Sequence, residues 1–318
     1  MPNHKTIQIA SEEAIRSRVH TLRYRSEEVK GRIAEVLIDL WSPERILKQV
    51  DPTTDVVGLK YGYPQFSEVI DAIDNTIYVS TLIEGPFHMG PILLQGDPGL
   101  GKTYFVKQLA DVLGLPYFEI SLATVTASFT LSGSSLQWVE GTVGELAKII
   151  ARSPVANPIV LLDEIDKCMN EGRYNPSNVL YSVLEPHTAQ RFKDEALELE
   201  LDLSHVIWIC TANYPEWIPA PIRSRMKTFE IRLPRPEEME RVVKHMYGQF
   251  RSRSTYGALL AETLQKDVIE ELSHLAPREI RMNLETSTLK AIKRKSRFIS
   301  KDDLSRDSKK EVHHVGFI

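Results

Sequence analysis

A glycine-rich stretch between residues 96 and 103 combines residue types that suit the binding of phosphate groups. It reads Gly-Asp-Pro-Gly-Leu-Gly-Lys-Thr, which fits the phosphate-binding pattern G-x-x-x-x-G-K-[ST]. Gly96 and Gly101 allow backbone turns that a side chain would forbid, so the N–H groups of the loop can point at phosphate oxygens. Lys102 can reach the β- and γ-phosphates, and the hydroxyl of Thr103 can bind Mg²⁺. We call this stretch the P-loop.

The residues on either side of the P-loop have the pattern that such a loop requires. The apolar run from Pro91 to Gln95 predicts a buried strand, and apolar residues at helical spacing from Tyr104 to Leu113 predict a helix. Because the helix begins at the loop, its positive N-terminal end faces the anion. The predicted nucleotide-binding residues are Gly96, Asp97, Pro98, Gly99, Leu100, Gly101, Lys102, Thr103 and Tyr104.

Two carboxylates follow a second apolar run. The run Ile159–Leu162 predicts a buried parallel strand, with Asp163 and Glu164 at its carboxyl end. We predict that Asp163 binds Mg²⁺, and that Glu164 orients and deprotonates an attacking water. Asn213 comes after a further apolar strand, His205–Ile209. It is expected either to hydrogen-bond the water or the γ-phosphate, or to be an ordinary turn residue.

The composition limits the classes of function. The chain has 318 residues, of which 42% are hydrophobic and 26% charged, the profile of a soluble globular protein with room for two domains. The formal net charge of −4 provides no overall attraction to nucleic acid or to a membrane surface. We find neither an apolar run of about 18 residues nor a secretion signal, so we expect no contact with a membrane. Cys168 and Cys210 each lie beside an apolar segment, and we expect buried thiols in a reducing cytoplasm.

The order of the predicted elements divides the chain into four parts. Residues 1–50 are expected to form an N-terminal helical arm with a helix that starts at Ser26, and the arm could pack on the main domain or contact a neighbour. Strands alternate with helices over residues 51–234, which predicts an α/β domain with a doubly wound parallel sheet. Residues 235–304 are predicted to form a small all-helical lid domain, and residues 305–318 a flexible tail. The helices predicted for the lid cover residues 237–250, 258–275 and 278–296.

Taken together, these blocks resemble the AAA+ family of P-loop ATPases, and within it the ATPase module of the Lon proteases. The P-loop is similar to the Walker A motif, and residues 161–167 (Leu-Leu-Asp-Glu-Ile-Asp-Lys) are similar to the Walker B motif of Lon. Residues 183–194 and 202–213 are similar to the segment that links Walker B to sensor 1 and to the sensor 1 strand itself. The resemblance covers most of the chain and implies ATP and Mg²⁺ as ligands.

The resemblance also implies roles for three arginines. Residues 218–226 are similar to the arginine-finger segment, so Arg225, or alternatively Arg223, is expected to contact the nucleotide of an adjacent subunit. A finger of this kind works only across an interface, which implies a homo-oligomeric ring, most often a hexamer in this family. Arg278 falls where the family carries sensor 2 and is expected to reach the phosphates of its own chain. The expected catalytic residues are Lys102, Glu164, Asn213 and Arg225.

Trp138 and Val139 align with the aromatic–aliphatic pair of the family's pore loop, which grips a polypeptide in the central channel. An indole provides an apolar surface that needs no particular sequence in its cargo. Glu140 stands where a glycine commonly follows this pair, and Gly141 comes next. The alternative for Trp138 is a core aromatic.

The leading hypothesis is an ATPase that remodels a protein substrate, as an unfoldase or chaperone. The stretches before Asp51 and after Leu304 are too short for the substrate-binding and peptidase domains of Lon, so we expect no proteolysis by this polypeptide alone. One alternative is a nucleic-acid-associated loader or remodeller, and another is an ATP-dependent regulatory switch. The basic residues that support the nucleic-acid alternative are Lys290, Lys293, Arg294, Lys295 and Arg297.

Overall fold

A computed structural model of the chain describes residues 5–138, 141–168 and 175–305. The chain folds as two compact units. The first unit is the chain up to Leu59 together with Phe66–Pro98 and Lys102–Arg232. The second unit is made of Lys60–Gln65, Gly99–Gly101 and the chain from Leu233 onward. The predicted flexible tail lies outside the described residues except for Ser305.

The N-terminal segment forms part of the first unit. Its elements are β1 (Thr6–Gln8), α1 (Glu12–Leu22), α2 (Glu27–Asp39) and β2 (Glu44–Ile46). Strands β1 and β2 pair antiparallel. The hydroxyls of Ser11 and Ser26 cap the two helices by accepting the N–H groups of residues 14 and 29. Single β-bridges join Ala10 to Leu201 and Ile46 to Val155, so the helical arm packs on the α/β part of its own chain.

A five-stranded parallel sheet forms the centre of the first unit. Its strands are β3 (Ile92–Gln95), β4 (Tyr117–Ser121), β5 (Ile159–Asp163), β8 (Ile207–Ala212) and β9 (Lys227–Glu230). Two further strands, β6 (Phe192–Asp194) and β7 (Leu199–Leu201), lie between β5 and β8 in the chain. The order across the sheet is β4-β5-β8-β3-β9, and β6 and β7 form the separate antiparallel hairpin. Every residue of β8 is buried, which explains why all but one of its residues are apolar. The prediction of a doubly wound parallel α/β sheet is confirmed.

Short and medium helices connect these strands. They are α3 (Ser67–Leu82), α4 (Lys102–Leu113), α5 (Ser128–Ser132), α6 (Glu145–Arg152), α7 (Ser177–Val183), α8 (Pro186–Ala189) and α9 (Ala220–Arg223). The rings of Phe66 and Phe105 stack with their centroids 4.0 Å apart, so the start of α3 packs against the helix that follows the P-loop. None of the helices formed by the described residues has the length and apolar content needed to cross a lipid bilayer.

The register of the sheet determines which residues meet at its carboxyl edge. In β5 and β8, Leu162 lies opposite Cys210, and in β3 and β8, Gln95 lies opposite Ala212. Because all three strands are parallel, the residues that follow them leave the sheet at the same edge. The P-loop, the Walker B carboxylates and the end of β8 are therefore neighbours.

The second unit is helical, with α10 (Pro236–Arg253), α11 (Lys266–Leu272) and α12 (Pro277–Lys293) around its own apolar core. The prediction of one helix over residues 258–275 was wrong, since a short 3-10 helix at Gly257–Leu259 and the separate α11 form there instead. Leu260 is fully buried, and the backbone of Ala261 donates to Arg297 O over 2.8 Å and accepts from the Tyr247 hydroxyl over 2.6 Å. These tertiary hydrogen bonds replace the ones that a helix would make.

Candidate active site

The P-loop connects β3 to α4, with Lys102 as the first residue of the helix. Gly96 and Gly101 have φ values of 152° and 85°, a region that residues with a side chain rarely adopt. The N–H of Gly96 donates to the carbonyl oxygen of Ala212 over 3.2 Å. This bond anchors the start of the loop to the end of β8.

The ammonium group of Lys102 is held inside the site. It donates to the carbonyl oxygens of Gly96 (2.6 Å) and Asp97 (3.0 Å) and to Oδ1 of Asn213 (2.9 Å). Burial lowers the pKa of Lys102, and the neighbouring carboxylates, with Asp163 the strongest, oppose this shift. The lysine and the asparagine, 111 positions apart in the chain, are therefore brought together by the fold.

A single oxygen of Asp163 accepts two hydroxyl groups. Thr103 Oγ1 donates to Asp163 Oδ1 over 2.9 Å, and Thr211 Oγ1 donates to the same oxygen over 2.6 Å. In addition, the backbone N–H of Glu164 donates to Thr211 Oγ1 over 2.9 Å. Thr103 and Asp163 are the residues expected from the sequence to bind the metal, whereas Thr211 was not predicted to have a role. The only sequence signal for Thr211 is its place two residues before Asn213.

The Thr103–Asp163 pair fits a magnesium ion. Mg²⁺ is usually bound by one or two protein oxygens together with phosphate oxygens and water, and here a hydroxyl and a carboxylate oxygen converge within 2.9 Å next to the P-loop. In the part of the chain that the structure describes, no three His, Cys, Asp or Glu side chains gather closely enough to hold a metal by themselves.

A buried carboxylate fixes the backbone around Asn213. Asp166, only 3% exposed, accepts the N–H groups of Asn213 and Tyr214, each over 3.3 Å. The Lys167 ammonium lies 3.9 Å from the same carboxylate and stacks over the rings of Tyr214 and Trp217. Asn213 is thus held through its backbone by Asp166 and through its side chain by Lys102.

Comparison with known proteins agrees with this geometry. The family model for AAA, the ATPase family associated with various cellular activities, matches residues 92–235. The chain contains an AAA ATPase domain. This domain covers the P-loop, both Walker B carboxylates and the end of β8.

Lon proteases are among the curated relatives of this chain. The chain is 40% identical over 142 residues to Lon protease of Metamycoplasma arthritidis, a match of 44% of this chain and 17% of that protein. It is 32% identical over 219 residues to Lon protease of Mesomycoplasma hyopneumoniae, 68% of this chain and 24% of that protein. A peroxisomal Lon protease homolog 2 of Zea mays is 34% identical over 196 residues, 60% of this chain and 22% of that protein. The chain thus spans less than a quarter of the length of these relatives.

A solved structure shares the fold. A point mutant of RuvB from Thermotoga maritima superimposes with a TM-score of 0.53 at 15% identity, over 74% of this chain and 67% of that one. A second structure from the same organism, that of the RuvB Holliday junction branch migration motor, gives a TM-score of 0.51 over 74% of this chain and 66% of that one. At this level of identity the similarity shows the fold of the AAA domain and nothing of its substrate.

The two arginines near the end of the AAA domain make different contacts. Arg225 donates from Nη1 to the carbonyl oxygen of Pro221 over 2.7 Å, and its Nε lies 3.4 Å from Glu185 Oε2. Its guanidinium also lies over the ring of Tyr181, 5.3 Å from the centroid. Arg223 is exposed and donates to the carbonyl oxygen of Pro215 over 3.2 Å. The expected finger, Arg225, is therefore half-buried against its own chain.

Arg278 lies in the first turn of α12, in the second unit. Its backbone N–H donates to the carbonyl oxygen of Gly99 over 3.3 Å, and Gly99 belongs to the same unit. A Cβ at Gly99 would lie 3.4 Å from Cβ of Arg278. The residue expected to act as sensor 2 is thus next to a residue of the P-loop.

Trp138 lies in a surface loop whose ends are joined. Its side chain is 53% exposed, which excludes the alternative of a core aromatic. Ser134 N–H donates to the carbonyl oxygen of Thr142 over 2.9 Å and closes the loop at its base. The other member of the expected pair, Val139, lies outside the described residues.

Proposed function

We propose that this chain hydrolyses ATP at its P-loop, that it does so in a homo-oligomeric ring, and that the ring remodels proteins. One observation carries the hydrolysis proposal. The P-loop residues Lys102 and Thr103 meet Asn213 and Asp163 from two other stretches of sequence. At one edge of the sheet, Lys102 lies within hydrogen-bond distance of Asn213 and Thr103 within hydrogen-bond distance of Asp163. This arrangement provides a cation for the phosphates, a metal-binding pair and a polar group to sense the nucleotide.

Each side chain has a separate task in this proposal. A phosphate oxygen that binds Lys102 replaces one of its three present acceptors, and Asn213 keeps the ammonium in place meanwhile. Thr103 and Asp163 would hold Mg²⁺, which supplies Lewis-acid stabilisation of the developing negative charge when it is bound. Glu164, at the same edge, accepts the proton of the attacking water.

The proposed ring supplies the remaining positive charge. A guanidinium from the next subunit stabilises the transferring phosphoryl group, an effect of about 10³–10⁵ in rate in comparable nucleotidases. We assign this role to Arg225, with a hexamer as the expected assembly, because Lon proteases are among the relatives that match. To act in this way, the guanidinium of Arg225 must break its contact with Glu185 and bind the nucleotide of the neighbouring subunit. We assign Arg278, which contacts Gly99 in the P-loop, to the phosphates of its own chain.

We further propose that the energy of ATP hydrolysis is used to remodel a protein substrate. The support for remodelling is the exposed indole of Trp138 on a loop closed at its base, together with the identity to Lon proteases. Remodelling in this sense does not require that this chain cleaves peptide bonds. The cytoplasmic location expected from the two cysteines is consistent with their state, since both are buried free thiols.

Steady-state ATP hydrolysis tests the proposal. The full chain should turn over ATP with Mg²⁺, whereas Lys102→Ala should lose nucleotide binding and Glu164→Gln should bind ATP without hydrolysing it. An unfolded protein such as reduced casein should stimulate the wild type, and Trp138→Ala should lose this stimulation but keep the basal rate. The matched control is Trp41→Ala, which removes another exposed indole and should behave like the wild type.

The outcomes separate the parts of the proposal. Wild-type chain without turnover would refute hydrolysis and favour a regulatory switch that only binds the nucleotide. Normal stimulation of Trp138→Ala would refute threading but leave hydrolysis intact. The nucleic-acid alternative loses part of its support, because Lys290 donates to the carbonyl oxygen of Asp303 and Arg294 contacts the Asp303 carboxylate. Two of its five basic residues thus serve the fold.

A further inference from the structure

Thr211 is a polar residue in an otherwise apolar strand. It lies in β8, whose six residues are all buried, and its own exposure is 1%. A valine has nearly the same shape, favours strands equally well and needs no hydrogen-bond partner. A buried hydroxyl at this position therefore needs a reason beyond packing.

The hydroxyl of Thr211 forms one hydrogen bond with each of the two Walker B residues. It donates its hydrogen to Asp163 Oδ1 over 2.6 Å and accepts the backbone N–H of Glu164 over 2.9 Å. Because Thr103 donates to the same oxygen of Asp163 over 2.9 Å, that carboxylate is fixed by two hydroxyl groups. The Thr211 hydroxyl thus contacts both acidic residues at once: the side chain of Asp163 and the backbone of Glu164.

Glu164 has a backbone that needs such support. Its φ is 56°, in the left-handed region that residues other than glycine seldom adopt. Conformations of this kind persist where the surroundings hold them, and they concentrate at functional sites. The bond from Glu164 N–H to Thr211 holds the peptide group that sets the direction of the glutamate side chain.

We propose that Thr211 is a positioning residue that orients both Walker B carboxylates, Asp163 toward the metal and Glu164 toward the attacking water. This inference rests on the proposed ATP hydrolysis and deepens it. The end of β8 and the residue after it then carry two side chains that position other residues of the site. Thr211 aligns the acids on β5, and Asn213 aligns the lysine of the P-loop.

Substitutions at Thr211 test the inference. Thr211→Val removes the hydroxyl and should lower kcat about 10- to 100-fold, the usual effect of losing a hydrogen bond to a metal-binding group. Thr211→Ser keeps the hydroxyl and should turn over close to the wild-type rate. The matched control is Thr76→Val, which removes a hydroxyl that donates to the Ala72 carbonyl in α3, and it should leave kcat unchanged.

Binding of a fluorescent ATP analogue gives a readout that does not depend on turnover. Thr211→Val should weaken binding about 10- to 100-fold in the presence of Mg²⁺ and leave binding in EDTA at the wild-type level. A merely structural role would instead lower the melting temperature and weaken both. If Thr211→Val is too unstable to measure, Thr211→Ala and Thr211→Ser replace it, since both lack the methyl group and differ only in the hydroxyl.

Two results would overturn the inference. One is wild-type kcat and Mg²⁺-dependent binding in the variants without a hydroxyl. The other is an equal loss in Thr211→Ser and Thr211→Val, which would assign the effect to packing. An inactive wild type would refute the proposed hydrolysis instead, and the Mg²⁺-dependent binding of the variants would still decide the role of Thr211.

Discussion

The ammonium group of Lys102 and the side-chain oxygen of Asn213 lie 2.9 Å apart, although 111 positions of sequence separate the two residues. This bond joins the first turn of α4 to the end of β8. Asp166 holds the other side of Asn213 by accepting its backbone N–H. Lys102 is therefore linked through Asn213 to the end of the strand that also carries Thr211.

Replacing Asn213 should separate the chemistry from the binding of ATP. In Asn213→Ala, the lysine keeps its two carbonyl acceptors, so the Kd for ATP should stay near the wild-type value while kcat falls about 10- to 100-fold. In Asn213→Asp, a carboxylate would hold the ammonium and repel the phosphates, so the Kd should rise about tenfold or more. Equilibrium binding and initial rates measured on both variants check this, and equal Kd values for the two would contradict it.

Arg225 and its partner Glu185 should have very different effects on hydrolysis. Their side chains are 28% and 46% exposed, and an ion pair at such a surface contributes about 0–1 kcal/mol to stability. Glu185→Gln should therefore leave kcat and the melting temperature near the wild-type values. Arg225→Ala should lower kcat about 10³-fold or more. Similar losses in both variants would show that the arginine matters only as part of the ion pair.

Asp194 should add a pH-dependent contribution to the stability of the first unit. This carboxylate is fully buried at the end of β6 and accepts the N–H groups of Gly144, Ala196 and Leu197. Desolvation raises the pKa of Asp194 from 3.8 to about 6, and the three hydrogen bonds oppose the shift. The folded protein then holds this proton more tightly than the unfolded chain does. Its contribution is complete below about pH 3.8 and is lost as the pH rises through about 6.

The side chain at position 194 cannot titrate in the variant Asp194→Asn. The free energy of unfolding of this variant should therefore lack the pH dependence that Asp194 contributes. The amide offers one acceptor oxygen in place of two, so at least one buried N–H loses its partner, at a cost of about 1–3 kcal/mol at neutral pH. Urea unfolding followed by tryptophan fluorescence from about pH 4 to pH 8 measures both effects. Glu200→Gln, which removes an exposed carboxylate of β7, is the control, and its free energy of unfolding should vary with pH in parallel with that of the wild type. If the free energy of unfolding of Asp194→Asn changed with pH in parallel with that of the wild type, the raised pKa of Asp194 would be disproved.

Arg45 should hold the N-terminal segment on the first unit. Its guanidinium donates to the carbonyl oxygens of Ser153 (2.7 Å), Ala151 (2.8 Å) and Asp39 (2.9 Å). A lysine cannot reach all of these acceptors at once, so Arg45→Lys should lower the free energy of unfolding by about 2–4 kcal/mol. Denaturant unfolding compares it with Arg16→Lys, an exposed arginine paired only with Glu12, which should cost almost nothing. A small effect of Arg45→Lys would mean that the arm is held by its apolar contacts alone.

Local sequence pattern was sufficient for the parts of the fold that depend on burial of continuous apolar runs. Strands β5 and β8 and the helix after the P-loop follow from such runs, because parallel strands buried on both faces are made almost entirely of apolar residues. Helix α1 was missed because its buried residues, Ile15 and Leu22, are too few to stand out among charged neighbours. The hairpin β6–β7 was missed because three-residue strands carry almost no periodic signal.

The site shows the same division between local and long-range information. The P-loop and the Walker B acids are contiguous motifs, so their residues could be named from the sequence. The role of Thr211 depends on the register between β5 and β8, and the contact of Arg225 with Glu185 depends on how α7 and α9 pack. Pairings between distant segments of this kind have no signature in a single sequence.

The central claim is that one subunit's nucleotide is hydrolysed with the help of Arg225 from the next subunit, and mixing two inactive variants tests it. Glu164→Gln keeps the arginine but cannot activate water, and Arg225→Ala keeps Glu164 but lacks the arginine. In a heterologous ring mixed at equal amounts, about a quarter of the interfaces would combine an intact Glu164 with an intact Arg225. We expect each variant alone to be inactive and the mixture to regain a matching fraction of the wild-type ATPase rate. A mixture no more active than its separate components would contradict the account.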